Sequence, residues 1–306
     1  MKLIAPAYYR DFRCIADKCR HSCCIGWEID IDDNTLDLYR AMPGETGEML
    51  RAGIEETEDG AHFRLGADER CPMLRQDGLC ELICRCGEEA LCQICADHPR
   101  FRFDYADCTE IGLGLCCEAA AALILHQTTM PELTVIEDDG EEEPTDLDEI
   151  VLRSVRDLMT EMLFAPGKPF ADCMRDACRH VSAPVDETPL AVWKERLLAL
   201  ERLDPSWTDV LSALDMPEKA ADPALDMPMR QLAAYFLYRH MPAALDDGDT
   251  ASKAAFARLS CRILAQLAAY RPEGLAELAR MYSSEIEYSD ENLDKIFDYL
   301  ASGGCW

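Results

Sequence analysis

From residue 147 onward apolar side chains return every three or four positions, the spacing that gathers them on one face of a helix. Leu147, Ile150, Val151, Leu158, Met159, Met162 and Leu163 form one such stripe, and Trp193, Leu197, Leu200 and Leu203 form another. The pattern predicts further helices over 229–240, over 250–270 behind a cap at Asp249 or Thr250, over 273–286 and over 290–300. Nearer the start the signal weakens. Segments 33–40 and 87–94 read as short helices, and Leu115, Ala119, Ala122, Leu123 and Leu125 predict a helix beginning near Cys117. Nowhere does the two-residue alternation of a half-buried strand persist convincingly. No internal repeat or low-complexity tract is evident.

Between these two styles of sequence lies 137–149, where nine of thirteen residues are acidic, none is basic, and Gly140 and Pro144 interrupt the run. It reads as a solvated linker, with a docking strip for a basic peptide as the alternative. The chain is thereby divided into a first domain, 1–136, and a helical domain, 150–306. With 306 residues, 49% of them apolar, there is material for a real core. Acidic residues number 59 against 30 lysines and arginines, a formal charge of -29 that repels phosphate backbones and anionic lipid surfaces. Nucleic acid is therefore not an expected partner, whereas a polypeptide presenting lysines suits the sign. The longest strongly apolar stretch, 119–125, is far below the ~20 residues needed to cross a bilayer. The opening Met1 to Asp11, broken by Pro6 and Arg10, is too short in apolar run for a signal-peptide core. A cytoplasmic protein with no membrane partner is expected.

The chain holds 17 cysteines, and 13 of them fall between Cys14 and Cys117. In a reducing compartment disulfides rarely persist, and the odd count argues the same way. Cys173, Cys178, Cys261 and Cys305 are scattered and read as buried packing residues. The others are spaced as packing does not require: Cys14-x4-Cys19-x3-Cys23-Cys24, then Cys71 and Cys80, then Cys84, Cys86, Cys92-x2-Cys95, Cys108 and Cys116-Cys117. Thiolates are polarisable anions that hold soft or borderline metals when several converge on the ion. The Gln76-Asp77-Gly78 turn would reverse the chain so that Cys71 and Cys80 approach. A helix starting after Cys117 would favour ionised thiols at Cys116 and Cys117. Only Cys92 to Cys95 has the knuckle spacing of a zinc ribbon, so zinc is the alternative. This many thiols with little histidine suit an iron-sulfur cluster, or two neighbouring four-ligand sites. Neither the ferredoxin run nor the Cys-x3-Cys-x2-Cys of radical chemistry on S-adenosylmethionine occurs. The expected fold is mainly α: a Cys-rich metal-binding N-terminal half of short helices and irregular loops, packed on a C-terminal helical bundle.

Phe12-Arg13-Cys14-Ile15, Cys19, Cys23-Cys24-Ile25-Gly26-Trp27, Cys71-Pro72-Met73-Leu74, Gly78-Leu79-Cys80 and Cys95 followed by His98-Pro99-Arg100 together resemble the flagellin lysine N-methylase family. Leu113-Gly114-Leu115-Cys116-Cys117-Glu118-Ala119-Ala120 is similar to its Ser-Cys-Pro-Glu-Ala-Ala segment. Tyr235 to Arg239 and Glu285 to Leu293 resemble its C-terminal half more loosely, so the likeness runs nearly the full length. The cysteine pattern is also similar to that of the broader zinc- or iron-chelating cysteine-cluster proteins. The resemblance implies methyl transfer from S-adenosylmethionine to lysines of flagellin by a protein carrying an iron-sulfur cluster, 4Fe-4S foremost. The ligands it implies are Cys14, Cys19, Cys23, Cys24, Cys71, Cys80, Cys95 and one of Cys116 and Cys117. Departures are His98 where Tyr is usual, Cys117 where Pro is common, Ala121 or Ala122 for a frequent Arg, and the surplus Cys84, Cys86, Cys92 and Cys108.

Lysine attacks a sulfonium methyl only as the neutral amine, so with a reference pKa near ~10.4 it needs desolvation or a base beside it. Candidates are Glu118, Tyr105 and Asp97, with Tyr282, Glu285 and Glu287 also suitable; spacing does not choose among them. Trp27 would shield a cluster from water or stack on adenine. Gly112 and Gly114 could let a cofactor approach the backbone, but no full dinucleotide fingerprint exists. His98 is an outer partner of the metal or an ordinary packed histidine. Two other functions remain: a non-catalytic iron-sulfur or zinc protein serving electron transfer or interaction, and a related modifying enzyme with a non-flagellar peptide substrate.

Overall fold

The computed structural model describes residues 1–58, 60–141, 144–220 and 222–302. Helix dominates it, so the fold is mainly α. The predicted helices appear as Asp226–His240, Thr250–Tyr270 and Asp290–Ala301. Asp249 caps the second by accepting the Ser252 N–H at 2.9 Å, and Ser289 caps the third by accepting that of Asn292. The expected 273–286 helix divides into an α segment, Leu275–Tyr282, and a π-helical turn, Ser283–Glu287. Such wide turns occur most often where side chains are being re-aimed, and this one sends Glu285 and Glu287 into the interior.

The stripe expected at 147–163 is borne out only in its second half in the helix Leu147–Leu163, where Met159 and Leu163 are buried. Leu147, Ile150, Val151 and Leu158 are exposed, whereas Leu152, Arg156, Met159 and Leu163 are buried. In the first half of the helix the inward positions are instead Leu152 and an arginine, Arg156. Arg156 meets the buried Glu110, one guanidinium nitrogen donating to Oε1 at 3.0 Å. A charged pair can thus take a core position when both members are hydrogen-bonded.

Strands are the main addition to the expected picture: β1 Lys2–Pro6, β2 Asp30–Ile31, β3 Ile54–Thr57, β4 Gly60–Phe63, β5 Arg100–Asp104, β6 Cys108–Leu113 and β7 Leu133–Asp138. One sheet has the order β5-β6-β1-β7, with β1 parallel to β6 and antiparallel to β7; the other has the order β2-β4-β3. Alternation failed to reveal them for local reasons. All six positions of β6 are buried, so no polar face marks it, and β2 is two residues long.

The described residues form two compact units. One comprises Met1–Phe12, Phe101–Cys116 and the chain from Ala120; it contains the first sheet and the long helices. The other comprises Arg13–Arg100 and Cys117–Ala119, and so holds most of the cysteines. Residues 1–12 and 101–116 therefore group with the helical part. Of the acidic segment, 137 and 138 end β7, Asp146 caps the helix Leu147–Leu163, and residues 142 and 143 lie outside the described residues, as does Cys305. In the cysteine-rich unit the helices Asp33–Ala41 and Gly44–Gly53 and the small sheet enclose Ile29, Leu36, Tyr39, Leu50, Phe63, Met73 and Leu82.

Candidate metal centre

The cysteine-rich unit arranges its thiols by short backbone contacts rather than by long elements. Cys24 and Cys71 are brought side by side where Cys24–Gly26 runs against Glu69–Cys71: the Cys71 N–H donates to the Cys24 carbonyl at 2.9 Å, Ile25 bridges Arg70, and the Gly26 N–H donates to Glu69 at 3.1 Å. The predicted turn after Cys71 is present. Gly78 sits at φ +82°, the Arg75 N–H donates to the Leu79 carbonyl, and Leu74 bridges Cys80, which returns the chain toward Cys71. The expected 87–94 helix is instead a 3-10 turn, Glu88–Ala90, and a short helix, Gln93–Asp97. Asp32 decides that start, since its carboxylate accepts the Gln93 N–H at 2.9 Å. Cys92 then precedes the first turn and Cys95 lies within it.

Two sets of thiols result. Cys71 and Cys92 lie in the unit's apolar core, with Cys24, Cys80, Cys86 and Cys95 packed against it. Burial pushes the Cys71 thiol up to about 12 and also raises Cys80, with Cys24 among the negative neighbours of both. Within the Cys92–Cys95 pair, a thiol-to-sulfur hydrogen bond lowers Cys92 and raises Cys95. The second set is Cys14, Cys19, Cys23 and Cys117. Burial raises Cys19, and Glu118, Cys117 and Cys14 are its negative neighbours. Cys14 and Cys117 are likewise neighbours of Cys23. The sets meet at the doublet: a hydrogen bond from Cys23 raises that thiol and brings Cys24 down to about 7, aided against burial by Ser22 and the Arg70 charge.

Glu118, expected as a base, serves as a clamp in this arrangement. It opens the helix Glu118–Leu125, accepts the Arg20 N–H at 3.0 Å and its guanidinium at 2.9 Å, and stands 3.9 Å from the Cys19 sulfur. Burial pushes its carboxyl up, but Arg20 outweighs this and holds it below the usual value. It pins Cys117 beside Cys19. Asp97 accepts from Gln93 at 2.6 Å, and Tyr105 is buried in the other unit beneath the Arg153 guanidinium. These three are not gathered within one unit. Trp27 packs against the thiol core, donates its indole N–H to the Cys23 carbonyl at 2.7 Å and lies 6.2 Å from the His98 ring. Burial, with Arg100 nearby, takes His98 down to about 4 and leaves it neutral.

Gly112 is required by packing: a Cβ there would sit 2.2 Å from the Phe101 ring. Gly114 is a buried residue just beyond β6. Cys116 and Cys117 part company. Cys117 joins Cys19 and Cys23, whereas Cys116 belongs to the helical unit, where its sulfur bonds with Tyr288 and raises that phenol after burial has done so. Cys108 is buried and accepts from Arg153 at 3.0 Å, and Cys84 is exposed. Cys92, surplus to the family pattern, is buried in the apolar core of its unit and bonded to Cys95.

Thiolates are soft anionic donors, which suit iron or zinc bound through sulfur. Among the described residues no three His, Cys, Asp or Glu side chains are gathered tightly enough to grip one ion. A cluster, in which each iron takes its own thiolate, accepts wider sulfur spacing than a single ion does.

Comparison with known proteins points the same way as the motifs. Over 141 residues the chain is 29% identical to a lysine-N-methylase of Salmonella typhimurium and 28% identical to that of Salmonella choleraesuis. It is similar to lysine-N-methylases. The match takes in 43% of this chain and spans 35% of each methylase, a shorter likeness than the motifs suggested. The flagellar biosynthetic protein FliU of Salmonella muenchen is 29% identical over 127 residues, which are 40% of this chain and 75% of that protein. No protein-family model and no solved structure matches. No helix among the described residues is long and apolar enough to cross a membrane.

Proposed function

We propose that this chain methylates lysine side chains of a flagellin-type polypeptide with S-adenosylmethionine, and that its clustered thiols hold an iron-sulfur centre. The observation that supports it is the likeness to lysine-N-methylases and FliU in a chain that packs six thiols into or against one apolar core. The reaction breaks the sulfonium S–CH3 bond, forms an N–CH3 bond on the lysine and releases one proton. A thiolate-bound cluster would supply a Lewis-acidic, redox-active iron site. Its four thiolates would be drawn from Cys14, Cys19, Cys23, Cys24, Cys71, Cys80, Cys92, Cys95 and Cys117, Trp27 would limit water at the doublet, and Glu118 would fix the segment that carries Cys117.

The test is incubation of anaerobically purified holoprotein with flagellin and methyl-labelled S-adenosylmethionine, read by mass spectrometry of lysine peptides. Mass gained on lysine is expected; no transfer to any lysine-bearing polypeptide overturns the proposal. A second function is favoured by one observation, that Glu118 is bound to Arg20 and Asp97 to Gln93, which leaves neither placed as a ready base. On that alternative the protein is a non-catalytic metal or electron-transfer protein. Reversible redox behaviour without affinity for S-adenosylmethionine would select it.

A further inference from the structure

The helix Leu147–Leu163 has an outer face left open among the described residues. Leu147, Val151 and Leu158 follow one another at intervals of four and seven, which lines them up along the helix, with Ile150 beside them. Leu147 is 77% exposed, Val151 60%, Leu158 39% and Ile150 36%. Val155 and Met162, on the same side, are half-buried, so the apolar line continues for about four turns. From Leu147 to Leu158 it spans about 17 Å. Single exposed apolar side chains are ordinary on a protein surface, but a contiguous row on one helix face marks a place that another chain covers.

Charge around the row says what kind of chain. Both arginines of the helix turn inward: Arg153 pairs with Asp107 at 2.7 Å, and Arg156 with Asp157 at 3.0 Å and with the buried Glu110. The helix therefore shows no positive charge beside its apolar row. Asp148 and Glu161 on the helix, and Glu137 and Glu141 on the segment leading to it, are exposed and make no ion pair among the described residues. An apolar row flanked by unneutralised carboxylates selects a helix whose own apolar row is flanked by cations. A second copy of this face would bring like charges together, and an anionic lipid surface would be repelled.

We propose that the outer face of the helix Leu147–Leu163 docks a lysine-rich amphipathic helix of the polypeptide that the protein modifies. That the docked chain is the substrate rests on the proposed function; the docking face itself does not. Binding there holds the substrate without touching the reacting atoms, and so it sets KM rather than kcat.

The experiment titrates the full chain into a fluorescent helical peptide of about 18 residues, leucines on one face and lysines on the other, read by anisotropy. Parallel peptides carry Glu in place of Lys, or Ser in place of Leu. Saturable binding of the Leu/Lys peptide alone is expected, weakened by salt. The double substitution Val151→Asp, Leu158→Asp lies at exposed positions, and circular dichroism checks that the helices persist. It adds negative charge, so attraction by charge alone would tighten, whereas docking on the apolar row should weaken roughly tenfold or more. Unchanged or tighter binding to the variant overturns the proposal, as does equal binding of the Ser peptide. Wild-type self-association that the variant abolishes also overturns it, by giving the face to a second copy. With flagellin as methyl acceptor, the variant should raise KM roughly tenfold and keep kcat; an unchanged KM overturns the assignment of the docked chain as substrate. Variant-sensitive peptide binding without any methyl transfer removes the proposed function and leaves the docking face standing. Methyl transfer with peptide binding indifferent to the variant does the reverse.

Discussion

Cysteine in the helical unit and cysteine in the thiol-rich unit are under different physical control. Cys173, Cys178 and Cys261 are buried singly on helices, where each thiol points at a carbonyl: Cys178 toward Ala254 at 3.8 Å and Cys261 toward Met229 at 3.9 Å. Burial raises the last two, so they stay protonated and act as small apolar residues. In the other unit the same side chain is crowded with its own kind, and each ionisation hinders the next. Without a cation the raised thiols Cys19, Cys71 and Cys80 stay protonated. The helical unit keeps its order instead with fully paired charges, notably Glu287, whose carboxylate accepts from Tyr235 at 3.1 Å and from His240 at 2.7 Å and pairs with Arg239 at 3.3 Å.

The largest effect should follow from breaking the thiol side of this contrast. Cys71→Ser is expected to lower the metal content and make Arg13–Arg100 the first segment cut in limited proteolysis, because on the proposed function a metal bound there would double as folding energy. Unchanged metal content would erase the distinction between the units. Next comes the helical unit's buried charge. Glu287→Gln leaves Arg239 without its counter-charge and should cost about 3–5 kcal/mol, seen as a lower urea midpoint with metal content retained.

The pH dependence sharpens the same comparison. Burial pushes the Glu287 carboxyl up, but Arg239 and His240 outweigh it, and the folded value lies below the ordinary 4.5. Its contribution is therefore complete above about pH 4.5 and is lost as pH falls through the lower, folded value. The stability gap between wild type and Glu287→Gln should be widest near neutrality and close on acidification; a gap independent of pH would place the cost in packing. The smallest effect is expected for Cys261→Ala, about 1 kcal/mol in thermal unfolding with the metal count unchanged. A lower metal count in that variant would mean the scattered cysteines are not separate from the clustered ones.

Helices were legible where local chemistry repeats itself. Asp249 as a cap, the run from Thr250 to Tyr270 and the turn at Gly78 all follow from residues within a few positions of one another. The inward place of Arg156 in the helix Leu147–Leu163 was not legible, because what draws it there is Glu110, 46 positions away. Strand β6 escaped notice because burial on both faces leaves no alternation. At the candidate site the thiols are legible in their spacing, but the bond between Glu118 and Arg20 is not, since nothing near either residue in sequence discloses it.

By itself, then, the sequence determined that this is a mainly helical protein with thiol chemistry concentrated before residue 118, and it pointed to the lysine-N-methylases. Those properties are set by residue type and short-range period, which need no partner distant along the chain. Only the tertiary structure decided that Cys24 lies beside Cys71, that Cys92 is buried and bonded to Cys95, that Cys116 bonds with Tyr288, and that Gly112 makes room for Phe101. Each of those depends on which segments are folded against each other, and backbone hydrogen bonds such as that from Cys71 to Cys24 join residues that no local pattern relates.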